Sequence, residues 1–233
     1  MRLILTGCEY SGTTTIANAI CGWAKDAMGA RIEPHDHFKI PHIACYPQGA
    51  PATPLTDEEQ RQVLALSPKL KEMLQRQNLV YHYPVAAQEP DWVMVGYHIE
   101  DAVYGPIYFG YGLEDEPHGG PRTRYARTTE MYLKMRAPDT ALVLVTASPD
   151  VIATRMLENP HANGVLRAAD IGRVLRRFQE EYDSSLLRTK LTLDTSTTTV
   201  YQTMEEFKRK YQPFISDDDR RRILTSRALT NRS

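Results

Sequence analysis

The fold of this chain is decided near its start, where residues 2–15 read RLILTGCEYSGTTT. Residues 2–5 are a short apolar run, the length expected of a buried strand. Gly7 and Gly12 bound the loop that comes next. An apolar stripe at helical spacing then follows, made of Ile16, Ile20, Trp23 and Ala27. A strand, a glycine-bounded loop and a helix in this order predict a phosphate-binding loop.

The residue types of this loop suit an anionic ligand. Glycines let the backbone turn tightly and approach a ligand, because no Cβ is in the way. Backbone amides of the loop and of the helix start then converge on phosphate. The predicted nucleotide-binding residues are Gly7, Ser11, Gly12, Thr13, Thr14 and Thr15. The hydroxyl of Thr14 or Thr15 can reach Mg²⁺, and we take Thr14 as the metal ligand. The alternative is a loop that only caps the helix.

Composition excludes several classes of protein. Charges are balanced at a net −1, which predicts no general attraction to nucleic acid or to anionic membranes. Three cysteines without a C-x-x-C pair argue against a disulfide framework and favour a reducing compartment. No apolar run approaches the length of a membrane span, and the strand and loop begin at once, without a signal peptide. We therefore expect a cytoplasmic protein.

Three carboxylates are candidates for the catalytic base. Asp36 lies in a polar segment, residues 34–42, that also contains three histidines. Metal binding by this segment is the alternative to a loop that lines a cleft. Glu100 and Asp101 follow the apolar run at residues 92–96, and ligands gather at the carboxyl ends of strands in open α/β sheets. Either carboxylate can accept a proton or bind Mg²⁺, or both can simply be acids of a helix start.

A second group of residues predicts an acceptor site. Arg122, Arg124 and Arg127 lie within six residues of each other, and guanidinium groups that converge can clamp a phosphate. If they do not converge, they form an ordinary basic surface. Tyr104, at the start of a stretch rich in tyrosine and glycine, is the candidate for stacking on an aromatic ligand.

The order of elements predicts an α/β fold with three layers and a mostly parallel, five-stranded sheet. Strand candidates are residues 2–5, 31–33, 92–96, 141–145 and 190–193. We expect one domain over residues 1–215, with a helical lid at about residues 155–173. The acidic and basic block that begins at residue 217 predicts a polar tail, solvated and partly disordered, over residues 216–233.

The loop resembles the Walker A motif G-x-x-x-x-G-K-[ST], with Thr13 at the position of the lysine. The chain as a whole resembles the P-loop nucleoside and nucleotide monophosphate kinases, thymidylate kinase most of all. The resemblance lies in five segments: residues 11–15, Glu33-Pro34, Tyr104, residues 148–156 and residues 193–196. It implies transfer of a phosphoryl group from ATP, with Mg²⁺, to a small acceptor such as a nucleoside or nucleoside monophosphate. A homodimer is compatible with it.

In this family, arginines of a flexible lid stabilise the charge of the transferring phosphoryl group. Arg155, Arg167 and Arg173 occupy the corresponding region here, so we expect Arg155 and Arg167 to be catalytic. A lid arginine is also a candidate to replace the absent lysine in part. The acidic-arginine pair that the family has after its third strand is missing, since Gly96 and Tyr97 stand there. The base therefore remains one of Asp36, Glu100 and Asp101.

Two other functions compete with a kinase. Residues 11–14 also resemble the S-G-T-T of sulfotransferases, but Tyr10 replaces the lysine that precedes that serine. The arginine expected beside residues 148–149 is replaced by Ala147. The second rival is a nucleotide-binding module without transfer activity, which the loss of the lysine favours.

Overall fold

A computed structural model describes residues 1–36, 40–41, 55–82, 88–113, 121–161 and 164–230, without the side chains of Asp36 and Thr230. The strands are β1 (Arg2–Thr6), β2 (Pro34–Asp36), β3 (Trp92–Val95), β4 (Ala141–Thr146) and β5 (Thr189–Asp194). The helices are α1 (Thr13–Met28), α2 (Asp57–Ala65), α3 (Pro68–Tyr81), α4 (Tyr97–Tyr104), α5 (Arg122–Arg136), α6 (Pro149–Glu158), α7 (Ile171–Ser184), α8 (Val200–Tyr211) and α9 (Asp217–Thr230). Short helical turns are Gly105–Phe109, Ala168–Asp170 and Gln212–Phe214.

The five strands form one parallel sheet in the order β2-β3-β1-β4-β5, which confirms the predicted class. Strand β1 lies in the middle, where Leu3 pairs with Val93 of β3 on one side and with Ala141 of β4 on the other. The loop that follows β1 therefore lies at the carboxyl edge of the sheet, between two neighbouring strand ends. This is where parallel sheets place ligands.

Helices cover both faces of the sheet, because alternate strand residues point to opposite sides. Leu3 and Leu5 face a core built with α1 and α8. Ile4 and Met94 face a second core, to which α4, α5 and α7 contribute. The result is the predicted three-layer arrangement. Within the part of the chain that the structure describes, no helix is both long enough and apolar enough to cross a bilayer.

Strand β2 lies three residues later than predicted. Its residues Pro34–Asp36 pair with Val93–Val95, so the prediction of a strand at residues 31–33 is wrong. Ile32 instead packs on the core beside α1. Proline lacks an N–H and is tolerated at the start of an edge strand, and β2 is such a strand.

The C-terminal segment forms α9 and packs on the domain, so the prediction of a partly disordered tail at residues 216–233 is wrong for residues 217–230. Arg222 forms ion pairs with Asp91 at 2.9 Å and with Asp219 at 3.0 Å, and Ile223 packs against the core beside α1. The charge pattern alone does not reveal this packing, because Asp91, which precedes β3, lies 131 positions before Arg222 in the sequence. The domain boundary at residue 215 stays a prediction.

Candidate functional site

Two glycines shape the loop between β1 and α1, and their tasks differ. A Cβ on Gly7 would lie 2.1 Å from the carbonyl oxygen of Val145, so the absence of a side chain permits close packing on β4. Gly12 has φ +93° and immediately precedes α1, where a left-handed residue is required. Gly7 thus serves the contact between strands, and Gly12 serves the turn into the helix.

A cavity of about 390 Å³ opens onto the first turn of α1. Thr13, Thr14 and Thr15 line one side, and Arg155, His161 and Thr195 line the other. No side chain caps this helix start, so its first backbone N–H groups are available to a ligand. The volume lies within the range of small-molecule sites, about 300–1,000 Å³.

The structure distributes the predicted nucleotide-binding residues between the cavity wall and its support. Gly12 and the three threonines lie on the wall, whereas Gly7 lies against β4. The Ser11 hydroxyl is buried, and no partner for it is found among the described residues. Among the described residues that line the cavity, Arg155 is the only arginine or lysine.

Arg155 links three separate segments of the chain. Its Nη1 donates to the Tyr10 carbonyl at 2.9 Å and to the Thr195 hydroxyl at 3.1 Å, and its Nη2 donates to the Thr195 carbonyl at 2.8 Å. The Thr195 hydroxyl in turn donates to the carbonyl of Ser11 at 2.8 Å. The Tyr10 and Ser11 carbonyls belong to the loop, so Arg155 braces the loop directly and through Thr195, in addition to lining the cavity.

Backbone strain concentrates at the same edge of the sheet. In the described part of the chain, the non-glycine residues with positive φ are Tyr10 at 66° and Tyr97 at 57°. Tyr10 lies in the loop after β1, and Tyr97 follows β3, the neighbouring strand. Such conformations cost about 1–3 kcal/mol each and cluster at functional sites. Their position favours the carboxyl edge as the site.

Glu100 and Asp101 occupy different environments in α4. The Glu100 carboxylate folds back onto the start of its helix, where a Cβ on Gly96 would overlap it. Asp101 instead accepts hydrogen bonds from Arg122 Nε at 2.5 Å and from the Tyr111 hydroxyl at 2.9 Å. Burial raises the pKa of Asp101, and the Arg122 guanidinium opposes that rise. Asp101 is therefore engaged by a buried guanidinium and a phenol.

A small aromatic cavity adjoins these carboxylates. Tyr97, Tyr104, Phe109 and Tyr111 line it together with Gln75, Glu100 and Asp101. Its volume is about 10 Å³, roughly the room for one water molecule. Gln75 is a residue that sequence reasoning missed. Glu72, Gln75 and Leu79 form the buried face of α3. Their helical spacing is the only feature of the sequence that could have indicated Gln75.

Tyr104 also anchors the loop between β1 and α1. Its hydroxyl accepts a hydrogen bond of 3.0 Å from the backbone N–H of Glu9. Its ring is 1% exposed and lies edge-on to Phe178. The predicted stacking residue is therefore part of the support between the loop and α4.

The predicted clamp of three arginines does not form. Arg122 is buried and bonds to Asp101 and Glu72, whereas Arg127 bonds to Glu181 and Glu130 on another side of α5. Arg124 is exposed. Positions i, i+2 and i+5 of a helix point in different directions, which is the physical reason for the divergence.

Other predicted residues lie away from the cavity or outside the described part. Arg167 is exposed, with its guanidinium 5.6 Å from the centre of the Tyr108 ring. Asp36 ends β2, but its side chain is not described. His37 and His42, from the proposed metal segment, lie outside the described residues. Within those that are described, no group of three or more acidic, histidine or cysteine side chains can hold a metal ion.

Known structures share this architecture. The YorR protein from Bacillus subtilis, in complex with phosphorylated GDP, superposes with a TM-score of 0.55 at 15% identity, over 91% of this chain and 97% of that chain. Thymidylate kinase from Candida albicans gives 0.57 at 14% identity, over 91% of both chains. Deoxyadenosine kinase from M. mycoides with bound dATP superposes with a TM-score of 0.54 at 14% identity, over 91% of this chain and 100% of that chain.

No protein-family model matches the sequence, and no curated protein matches it significantly. The structural similarity spans nearly the whole chain at identities near 15%. The chain therefore has a P-loop kinase-like fold, which it shares with these structures.

Proposed function

We propose that the protein is a phosphotransferase that moves the terminal phosphoryl group of ATP to a nucleoside or a nucleoside monophosphate. The main support is the cavity of about 390 Å³ that opens onto the uncapped start of α1. The backbone amides there face the space that a phosphate chain would need. The similarity to thymidylate and deoxyadenosine kinases supports the same reaction class.

The residues at the cavity fit a magnesium nucleotide better than a metal held by protein alone. Thr14 offers a hydroxyl at the mouth of the loop. The described residues contain no three-ligand cluster, and Mg²⁺ characteristically takes few protein ligands and completes its shell with phosphate oxygens and water. When bound, Mg²⁺ would neutralise charge on the phosphate chain.

The amides of the loop would hold the phosphates of the donor, and Arg155 would lie beside the donor. The acceptor would enter from the side of the aromatic cavity, where Glu100 lies. An oxygen of the acceptor forms a bond to the terminal phosphorus as the bond to the bridging oxygen breaks, and that electron pair leaves with ADP. If the acceptor is a hydroxyl, its proton passes to Glu100. If the acceptor is a phosphate, no base is needed.

The aromatic cavity must widen before an acceptor binds, since its volume of about 10 Å³ has room for only about one water molecule. Gln75 places an amide in its wall, and the tyrosines and Phe109 offer surfaces for stacking. These groups suit a planar, polar acceptor such as a nucleobase. The same proposal includes Arg167 as a lid arginine that stabilises charge on the transferring phosphoryl group.

Nucleotide binding and turnover test the proposal together. ATP with Mg²⁺ should raise the thermal midpoint of the wild-type protein, and ADP should form only when a nucleoside or nucleoside monophosphate is added. Thr14→Glu should abolish the shift, because it puts a carboxylate at the phosphate site. Gly22→Glu adds the same charge on an exposed turn of α1 and should retain the shift.

Each rival function has its own outcome in these assays. A midpoint raised by ATP without turnover for any acceptor would favour a binding module, which the absent lysine at Thr13 also supports. Protection by adenosine bisphosphate without protection by ATP would favour a sulfotransferase. If no nucleotide raises the midpoint, all three functions are wrong.

A further inference from the structure

The segment between α6 and α7 is bonded to the phosphate-binding loop through a loop side chain. The Glu9 carboxylate accepts hydrogen bonds from the backbone N–H groups of Val165 at 3.1 Å and Leu166 at 2.9 Å. Glu9 is only 6% exposed. A carboxylate that accepts backbone N–H bonds away from water is a strong, charge-assisted contact.

Tyr10, the next residue of the loop, makes a second contact with the same segment. Its hydroxyl accepts a hydrogen bond of 3.0 Å from the backbone N–H of His161. The two rings are stacked, with their centroids 4.1 Å apart and their planes at 21°. Two neighbouring side chains of the loop thus bind both ends of this short stretch.

Gly164 lies between these two contacts and allows the close approach. A Cβ at this position would lie 3.3 Å from the Tyr10 hydroxyl and 3.4 Å from Glu9 Oε2. The segment therefore packs directly against both side chains. His161 and Asn159 at its start form part of the wall of the 390 Å³ cavity.

The loop end of the contact is itself fixed. The Glu9 backbone N–H donates to the buried Tyr104 hydroxyl, and Arg155 holds the Tyr10 carbonyl. The backbone that carries the Glu9 carboxylate and the Tyr10 phenol is therefore held in place by hydrogen bonds. If the segment lifted away, Glu9 would lose its two amide partners in a poorly solvated position, which is unfavourable.

We propose that Glu9 is a positioning residue that holds residues 164–167, which the structure describes, against the phosphate-binding loop. The Glu9 carboxylate and the Tyr10 hydroxyl together keep one wall of the cavity in place. This role of Glu9 does not depend on whether phosphoryl transfer follows.

Hydrogen exchange of the full-length protein without nucleotide tests this contact directly. In the wild type, the amides of Val165 and Leu166 should be protected. Glu9→Ala should speed their exchange by about 10- to 100-fold, since it removes hydrogen bonds to an ionised group. Glu9→Gln retains an acceptor oxygen without the charge, and should give an intermediate rate.

Two further variants separate the contact from general unfolding. Tyr10→Phe removes only the phenolic acceptor and should speed exchange at His161, with a smaller effect at Leu166. Glu158→Ala removes an exposed carboxylate at the end of α6 and should leave all three rates unchanged. Unprotected amides at Val165 and Leu166 in the wild type would overturn the proposal, as would equal rates in Glu9→Ala and the wild type.

A nucleotide readout depends on the proposed function and can fail separately. A fluorescent N-methylanthraniloyl-ATP should dissociate about tenfold faster from Glu9→Ala than from the wild type or Glu158→Ala, because the wall of the cavity is released. If the probe binds none of these proteins, the proposed function is wrong, while the exchange result still decides the role of Glu9. Equal dissociation rates with a bound probe would contradict positioning by Glu9.

Discussion

Arg155 Nη1 lies 2.9 Å from the carbonyl oxygen of Tyr10, a contact that spans 145 positions of sequence. It joins α6 to the loop after β1, and Thr195 completes the link from the end of β5. The bonded carbonyl belongs to the backbone of the loop. Arg155 thereby acts as a brace of the loop. This role differs from replacing the lysine that the Walker A motif has at the position of Thr13.

Arg155→Ala should weaken both the fold and nucleotide binding. We expect the free energy of unfolding to fall by about 1–2 kcal/mol, because three hydrogen bonds of a partly exposed guanidinium are lost. The dissociation constant for ATP should rise in parallel. Urea unfolding and calorimetric titration measure the two effects. Arg173→Ala removes an exposed arginine of α7 and should change stability by less than about 0.5 kcal/mol. Equal effects of the two substitutions would contradict the brace.

Thr13→Lys should raise the turnover of the proposed reaction. A lysine there would bridge the terminal phosphates, and one preorganised charged group is worth roughly 10²–10³ in rate. Steady-state production of ADP with a saturating acceptor measures the change. Gly22→Lys adds the same charge to an exposed turn of α1 and should have no effect. A Thr13→Lys protein that turns over no faster than the control would show that the loop does not hold a phosphate donor in the Walker A manner.

Gly7→Ala should be strongly destabilising. The new methyl group would overlap the Val145 carbonyl of β4, and backbone cannot move aside in the centre of a sheet. We expect a loss of about 2–3 kcal/mol or more. Gly22→Ala, in an exposed helix position with nothing within 4 Å of the new Cβ, should instead stabilise by about 0.5–1 kcal/mol. Chemical denaturation of both variants provides the comparison, and a Gly7→Ala protein as stable as the wild type would refute it.

Arg122→Ala should cost far more stability than Arg124→Ala. Removing Arg122 leaves the buried carboxylate of Asp101 without its cation, and such losses are about 3–5 kcal/mol. Arg124 is exposed, so its replacement should fall within about 0.5 kcal/mol of the wild type. Urea titration distinguishes the two. Similar small losses of stability for both variants would mean that the ion pair of Arg122 with Asp101 does not stabilise the fold.

His82 should make stability depend on pH below neutrality. Burial, with a smaller contribution from the neighbouring His35, lowers the pKa of His82 from 6.5 to about 4. Between those values the unfolded chain binds a proton that the folded protein does not. The free energy of unfolding should therefore fall as the pH is lowered from about 6.5 towards about 4.

The hydrogen bonds of His82 indicate which nitrogen of its neutral ring carries the proton. Its Nδ1 lies 2.7 Å from the Asn78 carbonyl and must donate, so its Nε2 accepts from His35 Nε2 at 2.6 Å. His82→Gln should flatten the slope of stability against pH. His161→Gln, at an exposed histidine, should preserve it. Parallel slopes in all three proteins would exclude His82 as the titrating group.

Part of the site could be predicted because its signal is local. Strand β1, Gly12 and the threonines of α1 all lie within residues 2–15, and their residue types alone indicate a turn into a helix. The edge strand was misplaced because Pro34 and His35 pair with β3 through backbone bonds that composition does not reveal. Gln75 was likewise beyond sequence reasoning. The sequence indicated Asp101 as a candidate, but not its partners Arg122 and Tyr111, which only the fold brings to it.

The sequence by itself determines the α/β class, the parallel sheet and the loop at the start of α1, because apolar periodicity and glycine position act over a few residues. Only the tertiary structure decides what each charged side chain does. Arg122 and Arg127 diverge into separate ion pairs, Arg155 reaches back to Tyr10, and Glu9 binds the amides of Val165 and Leu166. The physical reason is that a buried charged side chain needs a partner of opposite charge or a hydrogen-bonding group beside it. Only folding of the chain brings such partners together.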